Sequence, residues 1–392
     1  MAGKQTPGDK RRAYSGPAIL SHGFRPFFFM AGLWAAFAMP LWLWLYTAAP
    51  FPFLTVPAPV WHAHEMIFGY LAAVLTGFLL TAIPNWTGRL PIMGAPLLGL
   101  VLLWLSGRLA LWFLPGQLAA AVDCAFLIVV ALIAWREVMV GKNWRNAPVC
   151  VLVSLMALAN ILFWGEFFYD LPAGLGQRLG LAVAGTLITL IGGRIVPSFT
   201  RNWMKQMGFD DLPAELSAFD KASVLATVLA FGSWVAFPDG QGTAYLMALA
   251  GVLLIFRLFR WKGAKTFSEP LVLVLHIGYA WVPVSLLLLS GSIFFPADIP
   301  YASALHALTA GAVGLMTVGV MTRAALGHSG RPRVAGLATS LIYVLIFSGA
   351  LIRVAAPVLP FDYGQMIMLS GVLFSLGFAL FAIRYAPIFF GR

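Results

Sequence analysis

The sequence is short of charge. Asp, Glu, Lys and Arg make up 10% of its 392 residues, where a soluble chain carries about a quarter. That shortage excludes a soluble enzyme, a disordered chain and a nucleic-acid binder, all of which need polar surface. Cysteine is scarce as well. Cys124 and Cys150 are the only two, both at apolar helix positions and without Cys-x-x-Cys spacing. A disulfide framework, a zinc ribbon and an iron–sulfur centre are therefore not expected, and the pair reads as small buried apolar residues. Long polar stretches are missing too. The longest gap between apolar runs, about 198–217, holds Arg201, Lys205, Asp210, Asp211 and Glu215 and reads as a surface loop. The first apolar run is too long for an h-region and has no small-x-small site, so no cleavable signal is expected.

What fills the chain is apolar: 61% of residues are hydrophobic and the mean hydropathy is +0.89. Twelve runs of spanning length lie near 24–46, 61–84, 96–114, 118–139, 148–168, 178–197, 218–237, 243–260, 268–290, 301–323, 334–356 and 363–385. The expected fold is an all-α polytopic membrane protein with about 12 transmembrane helices. A basic cytoplasmic tail is expected over 1–22 and a single membrane domain over 23–392.

The net charge of +11 then reads as the positive-inside bias, not as attraction to a polyanion. Lys4, Lys10, Arg11 and Arg12 open the chain. Arg89, Arg136, Lys142, Arg145, Arg201, Lys205, Arg257, Arg260, Lys262, Lys265, Arg331 and Arg333 follow alternate runs, and Arg384 and Arg392 end it. Of 25 cationic residues, Arg108, Arg178 and Arg353 fall on the other side. Both termini are expected in the cytoplasm.

Ionisable side chains inside a membrane are costly and mark function by default. On this topology His62, His64, His276 and His306 fall in the outer half, with His306 about five residues, or ~8 Å, into its run. His22 and His328 lie at the cytoplasmic ends and form a candidate second site. Imidazole is the common nitrogen ligand of haem iron and copper. His62 and His64 could share one ion only in an extended segment, which Pro57 and Pro59 allow; on a helix they point to different faces. Glu65 is a candidate to orient an imidazole, or an acidic residue favouring a helix start.

An offset of 242 places His64 on His306, Gly69 on Gly311, Gly77 on Gly319, Ala82 on Ala324, Gly88-Arg89 on Gly330-Arg331 and Gly94 on Gly336. Seven of 31 positions coincide, which suggests repeated four-helix units. His64 and His306 would then sit at matching depth, as two axial haem ligands require. Gly69 and Gly311 would admit a macrocycle, or a neighbouring helix. Arg194 and Arg323 stand at basic exits as candidates for haem propionates, an anion or lipid headgroups, besides their anchoring role.

Five motifs together resemble one family. They are His22-Gly23-Phe24-Arg25-Pro26-Phe27-Phe28, Trp61-His62-Ala63-His64-Glu65-Met66-Ile67-Phe68-Gly69, Gly77 through Gly88, Arg194 through Asn202, and Met321 through Arg331. The set is similar to the NnrS family of bacterial membrane proteins. The resemblance implies twelve helices in the bacterial cytoplasmic (inner) membrane, haem (b-type) and copper, and a link to nitric oxide in nitrosative stress or denitrification. It extends to haem–copper oxidase subunit one, with its three four-helix arcs, although the adjacent His-His of such oxidases is absent. Ser329 stands where the family pattern has Thr.

Three functions follow as expectations. The first is a haem–copper protein that binds, detoxifies or reduces nitric oxide, with quinol or another electron donor as partner. His64 and His306 would hold haem, and His62 and His276 copper or a second axial position. Glu65 and Tyr279 are candidate catalytic groups, and Asp123 a further group for a proton path. The alternatives are a transporter of an anion or metal ion and a non-catalytic haem or copper sensor.

Overall fold

Backbone amides in a bilayer find no water, so each apolar run must close its hydrogen bonds within itself, and a helix does this. The computed structural model describes residues 14–47, 56–88 and 90–391. The tail residues Lys4, Lys10, Arg11 and Arg12, together with Arg89 and Arg392, lie outside the described residues. The chain is 81% helical and holds no strand among the described residues. Twelve of the described helices are long and apolar enough to cross a membrane. They are α1 Phe24–Thr47, α2 Ala58–Pro84, α3 Ala95–Phe113, α4 Gly116–Val140, α5 Trp144–Phe168 and α6 Leu175–Gln206. There follow α7 Ala218–Ala236, α8 Gln241–Lys265, α9 Pro270–Phe294, α10 Tyr301–His328, α11 Leu337–Ala355 and α12 Tyr363–Phe390.

Local chemistry sets the helix ends. Pro59, Pro96 and Pro270 occupy first turns, where a missing N–H leaves nothing unpaired. After α2 the chain turns at Gly88 with φ +66°, and its N–H returns to the Pro84 carbonyl at 2.9 Å. At α7, Ser217 and Asp220 form a reciprocal capping box. The twelve expected runs are found, with longer ends in places. α6 continues to Gln206 because its polar last turns still close their backbone bonds, which hydropathy does not register. α2 starts at Ala58, so His62 and His64 stand on regular helix and the extended alternative for that segment does not hold.

The chain divides into two compact units. The first comprises the described residues within 14–180, 324–331 and 382–391. In it α1 packs on α2, α3 on α4, and α4 on both α5 and α2. Arg25, buried near the start of α1, donates to the Phe389 and Gly391 carbonyls at 3.1 and 2.6 Å. A guanidinium at the C-terminal end of α12 offsets the carbonyls left open there.

The second unit comprises residues 181–323 and 332–381. Here α9 packs on α6, α8 and α10, α7 on α6 and α8, and α10 on α11.

Three helices contain a π-helical segment: Glu65–Leu71 in α2, Ile188–Gly192 in α6 and Ala307–Val313 in α10. Such segments widen the turn and free carbonyls. The first and third are 242 residues apart at both ends, the offset that aligns His64 with His306. In α6 the π segment is followed by Pro197, which has no N–H for the Gly193 carbonyl. Arg257 of α8 attends to this weak point. Its Nη2 lies 3.5 Å from the Gly193 carbonyl and its Nη1 donates to the Thr189 carbonyl at 3.1 Å.

The substitution Arg257→Leu would open the Gly193 carbonyl and leave the buried Asp220 carboxylate without its nearest cation. Removing one partner of a buried ion pair costs about 3–5 kcal/mol. A lower thermal unfolding midpoint of the detergent-purified variant is the expected result; an unchanged midpoint would show that α6 does not depend on this contact.

Candidate functional site

The first unit holds a charged cluster sealed among apolar side chains. His64, Glu65, Arg108 and Asp123 are 0, 1, 3 and 2% exposed. Asp123 of α4 is its hub. Oδ1 accepts from Arg108 Nη2 of α3. Oδ2 accepts from Asn160 Nδ2 and Trp164 Nε1 of α5, at 2.8 and 3.1 Å, and lies 2.9 Å from His64 Nε2 of α2. Three N–H donors and the edge of the imidazole thus surround one carboxylate. Glu65 has fewer partners. Its Oε1 is 3.1 Å from His64 Nδ1 and its Oε2 is 3.4 Å from Arg108 Nη1. The imidazole is walled by Phe68, Phe163 and Trp164, at centroid distances of 5.3, 5.3 and 4.7 Å.

Gly69 makes this cluster possible. A Cβ there would lie 2.5 Å from Arg108 Nη1, 2.7 Å from Glu65 Oε2 and 2.9 Å from Trp34 Nε1. Its carbonyl accepts from Trp104 Nε1 at 3.0 Å. The glycine expected to admit a macrocycle or a helix thus gives room to polar side chains. Gly311, in the second unit, is covered instead by the Trp281 indole, whose nearest ring carbon would stand 2.5 Å from a Cβ.

The second unit has a cluster built around a cation. Arg257 Nε donates to Asp220 Oδ1 at 3.1 Å, and its Nη1 donates to the Tyr279 hydroxyl at 3.0 Å. The guanidinium also lies 5.3 Å from the Trp261 ring centroid, and Tyr279 meets the same indole edge-on at 4.6 Å. Arg260 Nη2 reaches Asp220 Oδ2 at 3.3 Å. Beside the cluster opens a cavity of about 420 Å³ lined by Arg194, Ser198, Arg201, Glu215, Asp220 and Trp261. Arg194 is exposed there, while Arg201 is engaged by Glu215 at 2.9 Å.

The expected histidine ligands separate by partner. His62 stacks on Trp42 at 4.4 Å, away from the cluster that takes His64. His276 Nε2 pairs with Thr200 Oγ1 at 2.8 Å. That hydroxyl donates its only hydrogen to the Val196 carbonyl, so Nε2 is the donor and Nδ1 the bare nitrogen. His276 Nδ1 is buried without a hydrogen-bond partner, against Gly263. His306 Nδ1 donates to the Ala302 carbonyl at 2.7 Å, within its own helix. His22 and His328 both pack on the Phe24 ring, at 5.8 and 5.6 Å. Arg323 lies over Phe199 at 4.1 Å. Among the described residues no three His, Cys, Asp or Glu side chains gather as a metal site.

Several of these residues have no place in the expected site. In the sequence Arg108 stands out only as an exception to the charge bias, and that exception is its signal. Asn160, alone in an apolar run, was a weaker one. Asp220 and Arg257 carry none, since an acidic residue in a first turn reads as a cap and a basic residue at a helix exit as an anchor.

Twelve bilayer-length helices enclosing charged clusters define a multi-pass membrane protein. Within that class the chain belongs to the NnrS family, whose model, described as NnrS protein, matches residues 18–392, nearly the whole chain. No curated protein matches it.

The added methyl of Gly69→Ala must push Arg108, Glu65 or Trp34 aside, at about 1–3 kcal/mol. Thermal unfolding should register that loss, and full stability would mean the cluster has slack. Glu269, just before α9, has Oε1 buried without a hydrogen bond. Burial raises its carboxyl above the ordinary range, with Arg323 pulling the other way. Its contribution to stability is thus full below the ordinary carboxyl pKa and is lost as pH rises through the raised value. Melting the protein at rising pH, from below the ordinary carboxyl pKa upward, should show a declining component that disappears in Glu269→Gln.

Proposed function

We propose that the protein serves in the bacterial cytoplasmic membrane in handling nitric oxide, during nitrosative stress or denitrification, with His306 as a ligand of a b-type haem. The nitric oxide link comes with the family, matched over nearly the whole chain. The observation that favours His306 is the 2.7 Å bond from its Nδ1 to the Ala302 carbonyl. Metal-ligating histidines usually donate their second ring N–H in this way, which fixes the tautomer and directs the other nitrogen at the metal. A haem bound there would supply an iron position able to take a diatomic ligand.

Ligation needs a ring nitrogen whose lone pair can turn to the metal, and both nitrogens of His64 are already engaged by acid or amide oxygens. His64 therefore does not fit as a haem ligand in this arrangement. His276 has a bare Nδ1, yet no group of three donors suited to copper accompanies it among the described residues. The copper expected from the family does not fit the side chains as they stand. The transporter alternative gains little: α2, α6 and α10 run through their π segments without breaking into half-helices, so they do not form the paired helix ends that bind ions in such folds.

The decisive measurement is the visible spectrum of the detergent-purified protein after expression with haem supplied. The wild type should show a Soret band that nitric oxide perturbs. His306→Ala should lose or shift that band, and His64→Ala should keep it. A colourless wild type would end the haem reading, and a reversed pattern would return the ligand to His64.

A further inference from the structure

We infer that the His64 cluster is a proton-binding site in the membrane interior, holding one proton between His64 Nδ1 and Glu65 Oε1. The disagreement between His64 and metal ligation leads to this, and it stands whether or not His306 holds haem.

The hydrogen-bond count requires it. Asn160 donates through Nδ2 to Asp123 Oδ2, so its Oδ1 faces His64 Nε2, 3.1 Å away. An amide oxygen only accepts, so Nε2 carries a hydrogen. A neutral ring then has a bare Nδ1, and an ionised Glu65 has only lone pairs. These two atoms nevertheless stand 3.1 Å apart in a buried site. Two lone pairs facing at that distance repel; a proton between them makes a hydrogen bond. It resides on the ring, giving an imidazolium, or on the carboxyl, giving a neutral acid.

Charge agrees with the count. Arg108, Asp123, Glu65 and a neutral His64 would leave a net negative charge in the lipid-spanning region, which is costly. The added proton brings the cluster to neutrality. The other groups facing the pair do not supply that charge. They are Arg108 of α3 and Asp123 of α4, both already counted, and the uncharged Trp34 of α1 and Asn160 and Trp164 of α5; Cys124 of α4 lies toward Arg108. The aromatic wall of Phe68, Phe163 and Trp164 is compatible with a cationic ring. Asp123 is held by four donors, which leaves Glu65, with the fewest partners, as the carboxyl able to share the proton.

The test uses the full chain in detergent, labelled with ¹⁵N-histidine and ¹³C-glutamate, with His64→Gln to assign the ring. At pH ~8.5, about two units above free imidazole, one of two signatures is expected. Either both His64 nitrogens are protonated, or one is bare and a glutamic-acid carbonyl band appears in the infrared. A bare nitrogen with no acid band would overturn the proposal. In Glu65→Gln the side-chain amide can donate to Nδ1, so a neutral Nε2–H ring and no acid band are expected; a ring still doubly protonated at that pH would refute the assignment to Glu65. If this variant does not fold, the wild-type spectrum alone decides. Titration with haem, or with copper, should leave the His64 signals in place, and their selective loss would make it a metal ligand.

Discussion

A carboxylate inside a bilayer has to bring its solvent with it, and Asp123 does so with side chains. Arg108, His64, Asn160 and Trp164 come from three helices to surround a group on a fourth. Helices in lipid gain little from the hydrophobic effect in choosing one another, since lipid tails are as apolar as leucine. Polar contacts that tolerate no substitute then carry much of the choice of neighbour and register. Around Asp123 the rotation of α2 puts His64 and Glu65 inward and leaves His62 to Trp42. Gly69, one turn on from Glu65, must lack a side chain because Arg108 lies where it would be.

The second unit reaches a similar solution with the sign reversed. There the hub is a cation, Arg257, and its partners are Asp220, Tyr279 and two carbonyls of α6. Those carbonyls are within reach because a π segment and Pro197 disturb the same turns. A comparable exchange is seen in α2, where the carbonyl of Gly69 within the π segment takes an indole N–H. The third π segment lacks this polar use, for Gly311 is covered by the hydrocarbon face of Trp281. Segments at the same offset thus support different chemistry, depending on the side chain that fills the space beside the glycine.

Much of the fold was legible from hydropathy. Twelve apolar runs imply twelve helices because a bilayer leaves the backbone no other way to bond, and the described helices follow those runs with extended ends. The site was legible only in part. Histidine is a costly residue in an apolar run, and Glu65, next to His64 in the chain, stands within reach of its imidazole. Asp123 is legible as an ionisable group inside a span, but its partners are not. The joint use of His62 and His64 failed because the segment is already helical. Asn160, Arg257 and Asp220 had no local feature to separate them from packing, anchoring or capping residues.

By itself the sequence determined what depends on neighbours along the chain: the number of spans, their helical state, the turns at glycine and proline, and the family. Only the tertiary structure decided which of the few charged side chains meet. Asp123 and His64 are 59 residues apart, and His276 and Thr200 are 76 apart. No periodicity links such positions. Their meeting is set by helix rotation and depth, which the low dielectric of the membrane makes decisive, since a buried charge without its partner is among the costliest arrangements a protein can hold.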